Sequence, residues 1–322
     1  MQKDFRTYNS QMRYLRDIKN IQCSGGIAKR ILCRTGYFNL INGYKTPFTN
    51  GKIGDQHTYI PGTSISHIKV LKEFDDNLRH HLFKAITKVE EEVRALAGYK
   101  FDQVNNNGKT HWYKVEAYDT TLDCQKIVEV IASIFFQLKK SKNNYIKHYL
   151  DNYNNIPTWI MIKTISFSTF IYFLEYGKKE VRKALCELYG IKSVNGLVNT
   201  KWLLSSLHML RKVRNSCAHN ERVYDYFRAG KRVYMPLFSQ FGMRYKRDRN
   251  QKLFDLFIYL RYYMPNDEYR EFLDGIKSQL LRLQQELNPI VYNKVRADIG
   301  VKNLSDLDLL IATNKSINYN AY

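Results

Sequence analysis

The residues of this 322-residue chain best suited to chemistry lie in the stretch LRKVRNSCAHNERVYDY, from Leu210 to Tyr226. Arg214 is followed at once by Asn215 and, five residues on, by His219, one of only eight histidines. A guanidinium fork holds two phosphate oxygens and an imidazole exchanges protons near neutrality, so the pair suits work on a phosphodiester. The competing reading is that these polar groups only cap and solvate the end of an apolar helix. Projected at about 100° per residue, Leu203, Leu207, Leu210 and Cys217 form one apolar stripe, while Arg211, Asn215, His219 and Arg222 share a polar face. Asn215 and His219 are i and i+4 neighbours, so the amide is expected to hold one imidazole nitrogen. Arg214 falls about 140° from His219 on an ideal helix. It must curl round, sit at a helix irregularity or act with a second subunit.

Such a helix needs others to hold it, and the rest of the chain predicts them. From Ser64 to Gly98, Ile68, Leu71, Phe74, Leu78, Leu82, Ile86, Val89, Val93 and Leu96 recur every three or four residues, and Gly98 is expected to end the helix. Helical patterns return at about 119–139, 143–152, 157–176, 178–189 and 199–227. Residues 1–66, dense in glycine and turn signals, should hold one or two short helices and an irregular or extended stretch. Residues 231–322 should form a basic helical extension, with helical text from Leu253 to Leu287 and a short helix near 303–311. The expected fold class is all-α, a helical core over 67–230 between a smaller mixed N-terminal segment and a C-terminal extension.

Composition bounds the partners. Lys and Arg outnumber Asp and Glu by 51 to 30, a net +21 spread along the chain, which favours a polyanion. The 25 Tyr and 17 Phe beside this charge suit unpaired bases, which stack on rings while phosphates meet cations, although an AT-rich coding sequence gives similar composition. Five scattered cysteines without a CxxC pair indicate neither disulfides nor a zinc ribbon, and fit a reducing cytoplasm. The polar opening MQKDFRTYNSQ argues against a secretory signal, and the most apolar run is broken by Lys163 and Glu175 before it could span a bilayer. His80 and His81 are adjacent and point apart, and Cys217 lies on the core stripe, so no metal is expected. Neither a phosphate-binding loop nor a dinucleotide fingerprint is present, and no cofactor is expected. Glu90 and Arg94, at i and i+4, read first as an ordinary ion pair and second as support for the site.

The motif stretch resembles the R-N-x-x-x-H signature of the HEPN superfamily, and its continuation resembles the bacterial abortive-infection (Abi) proteins of the AbiD/AbiF group. FDDNLRHHLFKAITKVEEEVRALAG is similar to that family's F-D-x-x-L-R helix with a later E-x-x-x-R, carried by Asp75, Arg79, Glu90 and Arg94. YIKHYLDNYNNIPTWIMIKTISFSTFIYFLEYG is similar to its H-Y…P-x-W segment and the helix after it, with Ser168 where small residues are usual. GYFNLINGYKTPF resembles a further segment, with Asn39 where an arginine is common. The four segments cover about residues 10–225.

The resemblance implies a HEPN helical bundle, a homodimer in which two Arg…His motifs meet across a two-fold axis, and metal-independent cleavage of RNA. Cleavage needs a base for the 2′-hydroxyl proton, an acid for the leaving 5′-oxygen and positive charge near the phosphorane. Arg214, Asn215 and His219 would be catalytic, with Arg211 and Arg222 on phosphate and Glu90 and Arg94 in support. Family members also imply growth arrest in phage defence and, in some, restraint by a small noncoding RNA antitoxin. Its natural seat would be the basic tract with Lys231, Arg232, Arg244, Lys246 and Arg247, visible as nucleic acid carried through purification. The alternative is a catalytically inactive HEPN protein that binds RNA or regulates.

Overall fold

The computed structural model describes residues 5–53, 56–153, 155–244 and 249–321. The chain opens with α1 (Tyr8–Arg13) and α2 (Gly25–Thr35), each followed by a wider π-helical turn. An antiparallel hairpin of β1 (Thr49–Ile53) and β2 (Gln56–Tyr59) follows, with Thr49 opposite Tyr59. Short helices and an extended stretch are thus both present, as expected.

The spine is α3 (Ile65–Val104), capped by Ser64, whose Oγ accepts the His67 N–H at 3.1 Å. It buries the stripe from Ile68 to Val93 read in the sequence, while Leu96 is only partly covered. It does not stop at Gly98. A glycine costs a helix interior about 1 kcal/mol relative to alanine, whereas fully burying an aromatic such as Phe101 contributes about 1.5–3 kcal/mol. A Cβ at Gly98 would lie 3.5 Å from Ile162, so the residue marks a close helix crossing rather than an end. The helix ends at Asn105, and Asn106 and Asn107 turn the chain with φ of 56° and 50°.

Next come α4 (Cys124–Lys140), α5 (Asn144–Asn152), α6 (Thr158–Thr164), α7 (Phe167–Tyr176), α8 (Lys179–Leu188) and α9 (Thr200–Ala218). The single helix expected over 157–176 is broken at Ser166, whose Oγ caps α7 by accepting the Thr169 N–H at 3.2 Å. The break strands the carbonyls of Ile162 and Ile165, and both accept from Arg94 Nη1 on α3. A charged donor reaching across the core thereby compensates an interruption that hydrophobic periodicity does not show.

Beyond the small ladder of β3 (Phe227–Arg228) with β4 (Gln251–Lys252) lie α10 (Leu253–Tyr263), α11 (Asn266–Glu286), α12 (Pro289–Ile299) and α13 (Ser305–Ala312). The helical text from Leu253 to Leu287 is two helices divided at Pro265, which lacks an N–H and cannot continue a helix. The sequence reading missed α12, although Asn288 capping and Pro289 at the first position are its start signals. All eleven residues of α10 are buried. The spine packs against α6, α8, α9 and α11, and buried side chains from all parts of the chain form one core. Among the described residues the fold is all-α apart from two small sheets.

The crossing of α3 and α11 is close enough to test. A Cβ at Gly275 would come within 2.6 Å of His81 Cε1, a distance real contacts do not reach. Gly275→Ala is therefore expected to lower stability by about 1–3 kcal/mol through overpacking, despite alanine's better helix propensity. His81→Ala in the same chain should restore most of the loss in urea unfolding. An undiminished midpoint in the single variant would contradict the packing.

Candidate active site

The motif helix α9 starts at Asn199, whose Oδ1 accepts the Trp202 N–H at 3.2 Å, and buries Leu203, Leu207, Leu210 and Cys217 as projected. Burial pushes the Cys217 thiol up to about 12, so it belongs to the core. The helix ends at Ala218 instead of near 227. Asn220 adopts a left-handed conformation, φ 55°, which asparagine tolerates better than most residues. The His219 N–H donates to Asn215 O at 3.0 Å and the Glu221 N–H to Ser216 O at 2.9 Å, closing the helix end. The imidazole of His219 stands exposed where the helix stops.

The turn after it is tied to the spine. Asp75, fully buried, accepts the N–H groups of Val223 at 3.1 Å and Tyr224 at 2.8 Å and the Tyr44 hydroxyl at 2.8 Å. It pairs with Arg79, which also donates to Glu221 O at 3.3 Å. Burial raises the Asp75 pKa, and Arg79 and these hydrogen bonds oppose the rise. The sequence reading used Asp75 and Arg79 only to carry a resemblance. An Asp and an Arg at i and i+4 on a helix's buried side was the signal that they anchor something.

His219 opens on a cavity of about 890 Å³ lined also by Arg34, Lys72, Arg79, His80 and Arg222. Four cations and one carboxylate, Asp76, which pairs with Lys72 and Arg79, therefore surround two imidazoles. The N-terminal segment supplies one wall, with Arg34 from α2, Phe38 and Asn39. Position 39, noted for lacking an arginine, faces this space, and Arg34 places a guanidinium on the same wall. Arg222 is brought in as expected, although it also donates to Gly43 O and pairs with Asp225 at 2.7 Å. His80 and His81 diverge, the first lining the cavity and the second packing on Gly275. Among the described residues no three metal-ligating side chains gather in one place.

Arg214 does not join His219 within one chain. It lines a separate cavity of about 430 Å³ with Glu90, Glu91, Arg94, Trp159 and Lys163. Its guanidinium lies 5.9 Å from the centroid of Phe83, a residue of the first cavity's wall. The helix is regular through Ala218 and the side chain does not curl round, so the angular separation read from the sequence persists. The expected Asn215 to His219 side-chain bond needs correcting. His219 sits at the cap, outside the regular helix, and Asn215 Oδ1 instead accepts from Arg214 Nη1 at 3.3 Å.

The Glu90 to Arg94 ion pair is present at 2.7 Å, and both residues do more. Glu90 Oε2 approaches Arg214 Nε at 3.4 Å, while Arg94 holds the break between α6 and α7. Arg211 lies away from His219, with Nη1 3.5 Å from Ser168 Oγ on α7. It belongs to a second basic surface. Burial, then Arg211, Arg228 and Lys212, lower the pKa of His208, and burial, then Arg228, Arg211 and Lys231, lower that of Lys212.

The basic tract is split. Arg232 is a correction: its side chain is buried and forks onto the fully buried Asp255, with Nη2 to Oδ2 at 2.8 Å, so it is structural. The spacing of Arg232 and Asp255 gives no helical or hairpin rule that would have paired them. Lys231 and Arg244 are exposed, and Lys246 and Arg247 lie outside the described residues. Among the described residues no helix is long and apolar enough to cross a membrane.

The family model described as Abi-like protein matches residues 30–225, more than half of the chain and all of the segments that build both cavities. Neither a curated protein nor a solved structure matches.

Proposed function

The chain belongs to the Abi-like protein family, a family tied to abortive infection, and from that premise we propose that it is a HEPN-type endoribonuclease whose activity arrests growth during phage infection. One observation carries the reading: His219 stands exposed at a helix end, on the wall of a cavity ringed by Arg34, Lys72, Arg79 and Arg222. A phosphodiester drawn there meets cations for its oxygens and an imidazole for proton transfer. One imidazole takes the proton of the 2′-hydroxyl, the 2′-oxygen bonds to phosphorus, and the P–O5′ bond breaks as a second, protonated imidazole gives its proton to the 5′-oxygen. The products are a 2′,3′-cyclic phosphate and a 5′-hydroxyl.

Of the two imidazoles in the cavity only His219 belongs to the motif, it cannot serve as both base and acid without an intervening proton exchange, and Arg214 of the same chain faces another cavity. A two-fold dimer supplies a second copy of each group to a shared site. The test is cleavage of single-stranded RNA with EDTA present, using a matched strand with a 2′-deoxy sugar at the cut position. The RNA should be cut and the substituted strand should survive at that linkage. Specific activity should fall on dilution as dimers separate. Cleavage of the deoxy linkage, or a strict need for a divalent ion, rejects the acid–base reading, and dilution-independent activity of a monomer rejects the shared site.

A further inference from the structure

The Arg214 cavity has features the cleavage chemistry does not use. Trp159, on α6, is 60% exposed although it lines the cavity wall, an unusual position for the largest apolar side chain. Beside it stand the cations Arg214 and Lys163 and the carboxylates Glu90 and Glu91. Glu90 is only 7% exposed, yet its Oε2 has no hydrogen-bond partner, and neither has Arg214 Nε. Their 3.4 Å approach is an ion pair without hydrogen-bond geometry. Gly98 lines the same cavity, so no side chain fills that part of it. An aromatic face, three cations of which Arg94 is held by Glu90, and an unsatisfied buried acceptor around about 430 Å³ of space form a built recess.

The chemistry narrows what fits. A flat ring stacks on an indole and its phosphates meet the guanidinium and ammonium, which is how unpaired nucleotides are held. With Arg214 and Lys163 given to the phosphates and Arg94 held by Glu90 and the carbonyls of Ile162 and Ile165, the carboxylates of Glu90 and Glu91 are the groups left for the base, which must then present N–H donors. Guanine offers two side by side, N1–H and the 2-amino group, spaced for the two oxygens of a carboxylate. Uracil has a single N–H flanked by carbonyls, which carboxylates repel. We propose that this recess reads an unpaired guanine of the RNA near the cleaved linkage, stacked on Trp159, with Glu91 or Glu90 accepting from its N1–H and amino group and Arg214 and Lys163 on its phosphates. The inference rests on the ribonuclease reading and adds a base preference to it.

Single-stranded heptanucleotides made wholly of 2′-O-methyl sugars, which cannot be cut, provide the probe: one all-uridine, the others with a single central G, A or C. Full-length protein is titrated with each, read by indole fluorescence and, independently, by anisotropy of a labelled strand. The G strand should bind about tenfold more tightly than the uridine strand and quench the indole signal. Trp159→Ala should remove both effects and Trp159→Phe should keep most of the affinity. Glu91→Gln with Glu90→Gln should bring G and A strands to similar affinity while stacking persists. Trp159 and Glu91 are exposed, so their substitution is expected to leave the fold intact, whereas Glu90 is buried against Arg94, and Glu91→Gln alone is therefore read first. Equal binding of all four strands, or a G preference untouched by Trp159→Ala, overturns the recess. If EDTA-resistant cleavage persists in that case, the ribonuclease reading stands; if wild-type protein neither binds nor cuts RNA, both fall.

Discussion

His219→Ala is expected to lower RNA cleavage by roughly a thousandfold while the unfolding midpoint stays where it is. The loss follows from removing the one exposed imidazole that opens on the cationic cavity from the motif helix. The stability should hold because the helix end is closed by main-chain bonds, His219 N–H to Asn215 O and Glu221 N–H to Ser216 O, which alanine keeps. A surface change of this kind usually stays within about 0.5 kcal/mol. Initial rates with EDTA present and a denaturation curve on the same preparation check both halves. Loss of less than about tenfold would mean that another group moves the protons, and loss of folding along with activity would mean that the side chain is structural.

The largest expected stability change belongs to Asp75→Ala, at about 3–5 kcal/mol, because it takes from the buried Arg79 cation its fully buried carboxylate partner and leaves only the half-exposed Asp76. It also strands the N–H groups of Val223 and Tyr224 and the Tyr44 hydroxyl, all of which now donate to one carboxylate. Asp75→Asn should fall between, since it keeps an acceptor oxygen but not the charge. Urea unfolding with fixed slope measures the difference, and residual cleavage measures how far the turn after His219 has slackened. A cost under about 1 kcal/mol in the alanine variant would show that the turn is held by something else.

The parts of this molecule that repeat along the chain were legible in its sequence. The Ile68 to Val93 stripe, the core face of α9 and the separation of Arg214 from His219 all follow from helical period, and the structure keeps each of them. What escaped was decided by tertiary contact. Gly98 reads as a stop until Ile162 and Phe101 explain why the helix passes it. Ser166 looks like one polar residue in an apolar run until Arg94, some seventy residues earlier, is found holding the carbonyls of Ile162 and Ile165. Arg232 counts as a free cation in any tally of charge, and only the fold shows Asp255 neutralising it out of water. Asn215 was assigned to His219 by i, i+4 spacing, a rule that lapses where the helix ends.

The complete enclosure of α10 sets a limit on how the molecule can be divided. The family match ends at residue 225, yet α3 and α9 each rest a flank on that later helix. A gene fragment stopping at the match would leave those flanks wet, as a house does when its shared wall is pulled down. The matched region therefore depends on the rest of the chain to close that side.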